Sequence, residues 1–168
     1  MSTSRHHSGE DPYAANASWL FLGAHGGAGT STLVRYSRRH GHLYAAEVCP
    51  EFHAGIPVVA VCGDHVSDLR QAQRLSQDAA LRPRLLGLAI VAGESRPGRA
   101  VESSISMLRG VFASVWRVPH LPVLHLVEPA EATEQPWPAI HPDLQQVLDD
   151  IRAAAAVQVT PENESRFP

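Results

Sequence analysis

The residues best equipped for chemistry lie in Gly23 to Leu33, which reads GAHGGAGTSTL. Gly26, Gly27 and Gly29 let the backbone take positive φ and aim successive N–H groups inward. Thr30, Ser31 and Thr32 follow with hydroxyls suited to open a helix. A helix starting there adds its first N–H groups and the positive end of its dipole. Such a loop favours an anion, above all phosphate. The hydroxyls could bond phosphate oxygens or a magnesium ion. The candidate binding set is therefore His25, Gly26, Gly27, Ala28, Gly29, Thr30, Ser31 and Thr32. The plainer reading is a tight strand-to-helix turn kept for the fold alone. Both readings stand at this point.

Other chemistry-bearing residues have bland readings beside their sharp ones. Cys49, His53, Cys62 and His65 could supply four zinc ligands, with His40 and His42 nearby. Their spacing matches no standard zinc pair, and Cys62 reads as a small buried residue. Asp64 and His65 follow an apolar run and could orient a ligand or act as a base. The simpler role for Asp64 is to cap the helix that begins at Val66. Ser31 has no G-x-S-x-G elbow around it, which argues against a hydrolase triad. Arg96 and Arg99 fall on a loop where they could bring positive charge to a ligand; Arg109 and Arg117 lie nearby in the chain. Trp116 reads as core. Trp137, between Pro136 and Pro138, reads as an interface candidate.

The elements that must position the glycine loop are strongly patterned. Apolar runs at Ser18 to Gly23, Pro57 to Cys62, Leu85 to Ala92 and Val115 to Val118 read as buried strands. Leu43 to Val48 reads as a minor strand, and VLHLVE as an edge strand. Helical periodicity covers Thr30 to Arg39, Val66 to Ala80, Val101 to Phe112 and Pro142 to Ala156. Strands alternate with helices, and the strands are continuous apolar runs. That pattern predicts a mainly parallel sheet covered on both faces. Right-handed crossovers then give a small three-layer α/β sandwich, doubly wound, with four or five strands. Residues 1–17 read as a flexible arm, 18–128 as the α/β domain, 129–157 as a Pro-rich segment with the last helix, and 158–168 as a disordered tail.

Composition narrows the function classes. The chain has 168 residues, 44% of them apolar and 18% charged, enough for one well-packed domain. A net charge of −3 argues against a nucleic acid held by bulk charge. All 14 basic residues are Arg and none is Lys. No phosphate-binding lysine, Schiff-base lysine or lysine general base is therefore present. No signal peptide is evident, and no apolar run approaches the ~20 residues of a membrane span. The expectation is a cytoplasmic protein without membrane insertion.

HGGAGTS at 25–31 resembles the deviant Walker A loop of the ParA/MinD family, K-G-G-x-G-K-[ST]. Gly26, Gly27, Gly29 and Ser31 match. His25 stands at the signature lysine and Thr30 at the phosphate-binding lysine. The pilus-assembly branch resembling CpaE/TadZ has a similar threonine, in loops like G-A-K-G-G-V-G-T-S-T-L. The block order also resembles an uncharacterised actinobacterial family of short P-loop-like proteins. The resemblance implies a P-loop NTPase-like fold and ATP or ADP with magnesium as ligand. The interval His40 to Ile56 holds Glu47 and Glu51 but no aspartate, so the usual Walker B aspartate is missing. The expectation is a degenerate P-loop accessory protein, binding nucleotide or phosphate weakly with little or no hydrolysis. Its partner would be another protein or a second copy, in a conjugation or secretion system. Two alternatives remain. One is an atypical active ATPase with Thr30 and an arginine in place of the lysines. The other is an interaction module whose glycine loop is a relic.

Overall fold

Each apolar run becomes a strand of one parallel sheet. The computed structural model describes residues 19–39, 45–47, 55–120 and 141–159. The order is β1 (Trp19–Gly23), α1 (Thr30–Arg39), β2 (Ala45–Glu47), β3 (Val58–Gly63), α2 (Val66–Leu75), β4 (Leu85–Val91), α3 (Arg99–Leu108), β5 (Val115–Val118) and α4 (Pro142–Val159). A short 3₁₀ turn at Arg82–Arg84 leads into β4. The arm 1–17, the expected edge strand VLHLVE, Trp137, most of the Pro-rich segment and the last residues of the tail lie outside the described residues.

The sheet order is β2-β1-β3-β4-β5, and every neighbouring pair is parallel. The chain leaves β1 for β2 on one side, then returns to build β3, β4 and β5 on the other. The strand order therefore reverses at β1. In doubly wound sheets the crevice outside the carboxyl ends at that reversal is where ligands bind. Here it lies between the loop after β1 and the loop after β3.

Side chains alternate across the sheet and build a core on each face, with Leu20 and Val58 in a smaller cluster. Trp19, Phe21, Val59, Val61, Ala89, Trp116 and Val118 pack with Leu33, Val34 and Tyr36 of α1 and with α4. Ala60, Cys62, Leu88 and Ile90 pack on the other face with Leu69 and Ala72 of α2 and Ile105 and Leu108 of α3. Strands buried on both faces need apolar residues at every position, hence the continuous runs. The Trp19 and Phe21 rings meet edge to face, with centroids 6.3 Å apart. Helix α4 carries its stripe at Leu144, Val147, Leu148, Ile151 and Ala155. The Tyr36 hydroxyl accepts the His141 N–H at 3.1 Å and pins the start of α4 to α1. Leu148 is 1% exposed, so Leu148→Ala should lower stability by about 2–5 kcal/mol, as read from the denaturant midpoint.

Three helix C-termini differ from the periodicity. The pattern predicts α2 to Ala80, but the helix stops at Leu75. The Asp78 carboxylate accepts the N–H groups of Ala80 and Leu81 at 2.8 and 3.1 Å, and the Ser76 hydroxyl donates to Gln73 O at 2.6 Å. These short polar side chains offer the backbone a turn instead of another helical round. Helix α3 ends at Leu108 rather than Phe112 because Gly110 follows in a turn closed by its N–H to Met107 O at 3.0 Å. At the far end, α4 continues to Val159, beyond the Ala156 that the pattern gives.

Candidate functional site

The loop after β1 has the conformation its glycines allow. Gly27 and Gly29 sit at φ +81° and +85°, a region costly for other L residues. Nothing lies within 4 Å of a Cβ built on Gly26 or Gly27, so the backbone there is open to an incoming group. Gly23 has the opposite reason to be glycine. A Cβ there would come 2.8 Å from Thr30 Oγ1. The first α1 ladder bond runs from Leu33 N–H to Gly29 O at 3.0 Å. The N–H groups of Thr30 to Thr32 thus precede the helical ladder. A cleft of about 550 Å³ opens here, and its described lining is residues 21–23 and 25–32.

The eight candidate residues do not all point their side chains into that cleft. Ala28 packs in the core between α1 and the sheet. Thr30 is buried, its hydroxyl turned back toward Gly23. Both can offer an anion only their backbone. Ser31 is exposed and Thr32 is half-buried, while Gly26 and Gly27 form the exposed tip. His25 turns sideways. Its Nδ1 lies 2.9 Å from Gly26 O, and a carbonyl only accepts, so Nδ1 carries the proton. Its Nε2 lies 3.6 Å from Asp68 Oδ2 and makes no hydrogen bond, although that atom is shut off from solvent.

The loop after β3 brings a second group to the same crevice. Asp64 is expected to cap α2, but His65 occupies the N-cap position and makes no side-chain cap bond. Asp64 instead accepts the Gly93 N–H at 2.9 Å and ties the end of β3 to the end of β4. Gly93 approaches so closely that a Cβ there would be 3.0 Å from Asp64 Oδ1. His65 Nδ1 stands 3.6 Å from both Asp64 Oδ1 and Asp68 Oδ2, with its ring exposed. Asp68 also accepts the Ser67 hydroxyl at 3.0 Å. His25, Asp64, His65 and Asp68 therefore form one chain of contacts beside the glycine loop. The sequence singles out Asp64 and His65 but not Asp68, which lies off the apolar period of α2. Only the pairing of β1 with β3 brings it beside His25.

The remaining candidates fall elsewhere. Arg117 is held by both Glu102 oxygens at 2.7 and 2.8 Å on the exposed face, so its charge is already matched. Arg96 and Arg99 are exposed, Arg99 as the first residue of α3. Trp116 is buried in the core, as expected. Cys49, His53, His40 and His42 lie outside the described residues, and among those described no three His, Cys, Asp or Glu side chains converge on a metal-sized site. No described helix is long and apolar enough to cross a membrane.

Cys62 lies in β3 below the two carboxylates and is fully buried. Burial first, then the negative charges of Asp68 and Asp64, push its thiol from the ordinary 9.0 up to about 12. The folded chain therefore keeps a proton that the unfolded chain releases above pH 9. Stability from this thiol is complete below pH 9 and is lost as pH rises toward 12. The expected loss by pH 10.5 is about 2 kcal/mol relative to pH 8. Denaturant melts at both pH values check it, with Cys62→Ala removing that part of the alkaline slope.

No family model matches the chain, and no curated protein or solved structure matches it either.

Proposed function

We propose that the glycine loop is a phosphate cradle of a degenerate P-loop protein, related in kind to the ParA/MinD loops it resembles. The reading rests mainly on one observation. Gly27 and Gly29 hold positive φ with open space above Gly26 and Gly27, at the start of α1 and at the strand-order reversal. Successive backbone N–H groups there can surround an oxyanion without a lysine. The ligand class is a phosphate or the phosphate tail of a nucleotide such as ATP or ADP.

The residues near the loop suit phosphate better than magnesium. Thr30 Oγ1 is turned toward Gly23. Asp64 accepts the Gly93 N–H, and Asp68 accepts the Ser67 hydroxyl. Phosphoryl transfer needs charge over the phosphates and a positioned metal. The chain has no lysine to supply that charge. The proposed activity is therefore binding with little or no turnover, in an accessory role toward a protein partner or a second copy.

Thermal melts with millimolar ATP, ADP, GTP and inorganic phosphate, each with and without magnesium, test this. A ligand at about a hundred times its Kd adds about 2.7 kcal/mol and gives a clear rise in Tm. The expected result is a rise with phosphate-bearing ligands that does not require magnesium. A flat Tm with all of them would sink the cradle and leave an interaction module. Robust magnesium-dependent phosphate release would favour the active ATPase instead.

A further inference from the structure

We propose that His25 and Asp68 form a protonation-controlled clasp that lets the cradle accept a dianion. This inference rests on the cradle reading and names how that site is regulated. With Nδ1–H donated to Gly26 O, a neutral His25 turns a bare lone pair toward Asp68 Oδ2 at 3.6 Å. Two acceptors then face each other, and Nε2 has neither solvent nor a hydrogen-bond partner. A proton on Nε2 turns the same contact into a charge-assisted donor–acceptor pair. The ring then holds the loop carbonyl at one end and α2 at the other.

The clasp also sets the charge beside the cradle. Asp68 faces His25 from one side and His65 from the other; Asp64 faces His65; the buried Cys62 thiol lies below and stays neutral. The start of α1 contributes only the hydroxyl residues Thr30, Ser31 and Thr32. With both imidazoles neutral, two uncompensated carboxylates border the site. Protonating His25 cancels the one nearer the loop. Histidine is the side chain that makes this change between pH 5 and 8. His25 is thus the conditional cation at the loop, and Asp68 is its positioning residue.

Sulfate is the probe, because it stays a dianion across this range while phosphate itself titrates. Calorimetry at pH 5.5 and pH 8.0 should show sulfate binding on the order of tenfold tighter at the lower pH. His25→Gln should bind weakly at both. His25→Lys should bind tightly at both, because its charge does not change there. Asp68→Asn should bind sulfate more tightly than the wild type at pH 8.0 and show a flattened dependence. His65→Gln should keep most of the dependence, since its exposed ring reaches Asp68 from the solvent side. A pH dependence that survives in His25→Gln, or vanishes in His65→Gln alone, overturns the clasp.

A second measurement needs no ligand. In ¹⁵N spectra of the free protein, the proton that charges the His25 ring should appear at Nε2, with Nδ1 protonated throughout. The Gly26 and Gly27 amide signals should move with it, and that movement should disappear in Asp68→Asn. If sulfate does not bind at either pH, the cradle reading fails, and the spectra alone decide the clasp. Amide signals that ignore His25 protonation refute it whatever sulfate does.

Discussion

Gly27→Val should abolish every ligand-induced rise in Tm while leaving the protein folded. The residue at 27 must hold φ +81°, and no atom lies within 4 Å of the new Cβ. The fold therefore suffers no clash. It pays only for a β-branched residue in left-handed backbone, about 1–3 kcal/mol. Escape from that strain would turn the peptide and scatter the N–H groups proposed to cradle an anion. If the backbone holds, the isopropyl group fills the space above the loop. Either route removes the cradle. Gly26→Ala is the matched control: its Cβ also meets open space, but φ at 26 is not positive. It should cost little stability and weaken binding only by partly filling the mouth. Calorimetry with phosphate and circular-dichroism melts read the two effects separately. Equal binding by Gly27→Val and the wild type would show that the loop is a turn kept for the fold alone.

Much of this site was legible in the sequence, for a physical reason. Glycines that must take positive φ leave a mark in composition, and a strand buried on both faces has to be apolar throughout. The loop at 23–33 and the runs at 58–63 and 85–91 carried those marks. Contacts between distant residues leave none. Asp64 looked like the cap of α2 because it stands just before the helix, yet it reaches across to Gly93, just past the end of β4. His25 and Asp68 meet only because β1 pairs with β3. Nothing local encodes that pairing, since the chain could have placed β2 on either side of β1. The end of α2 was missed for the opposite reason. Local turn chemistry at Ser76 and Asp78 overrode an apolar period that ran on past it.

A large loss of stability should come from Gly87→Ala, in the middle of β4. Here the glycine serves close packing rather than an unusual φ. A Cβ at 87 would meet the backbone oxygen of Ser114 and, at 2.7 Å, the Trp116 ring. Neither can step aside cheaply. Ser114 O accepts the Leu88 N–H at 2.9 Å, where β5 joins β4, and Trp116 is wedged in the core shared with α1 and α4. Register is also tight on the other side. The β3–β4 ladder shifts at Val58/Val59, so that Val59 faces Gly87. Relief would require β5 to move away from β4, breaking ladder bonds and opening the core at once. Overpacking of this kind costs about 1–3 kcal/mol where side chains can shift, and more where backbone must. The expected loss is about 3 kcal/mol or more, a large share of the roughly 5–15 kcal/mol that holds a domain together. Gly110→Ala is the comparison, with its nearest contact, Met107 O, at 3.4 Å. Denaturant midpoints should fall steeply for Gly87→Ala and barely for Gly110→Ala, with unchanged slopes. A near-native midpoint for Gly87→Ala would mean that β5 does not lie against β4 in this register. The crevice at the carboxyl ends would survive that outcome, because β1 and β3 alone form it.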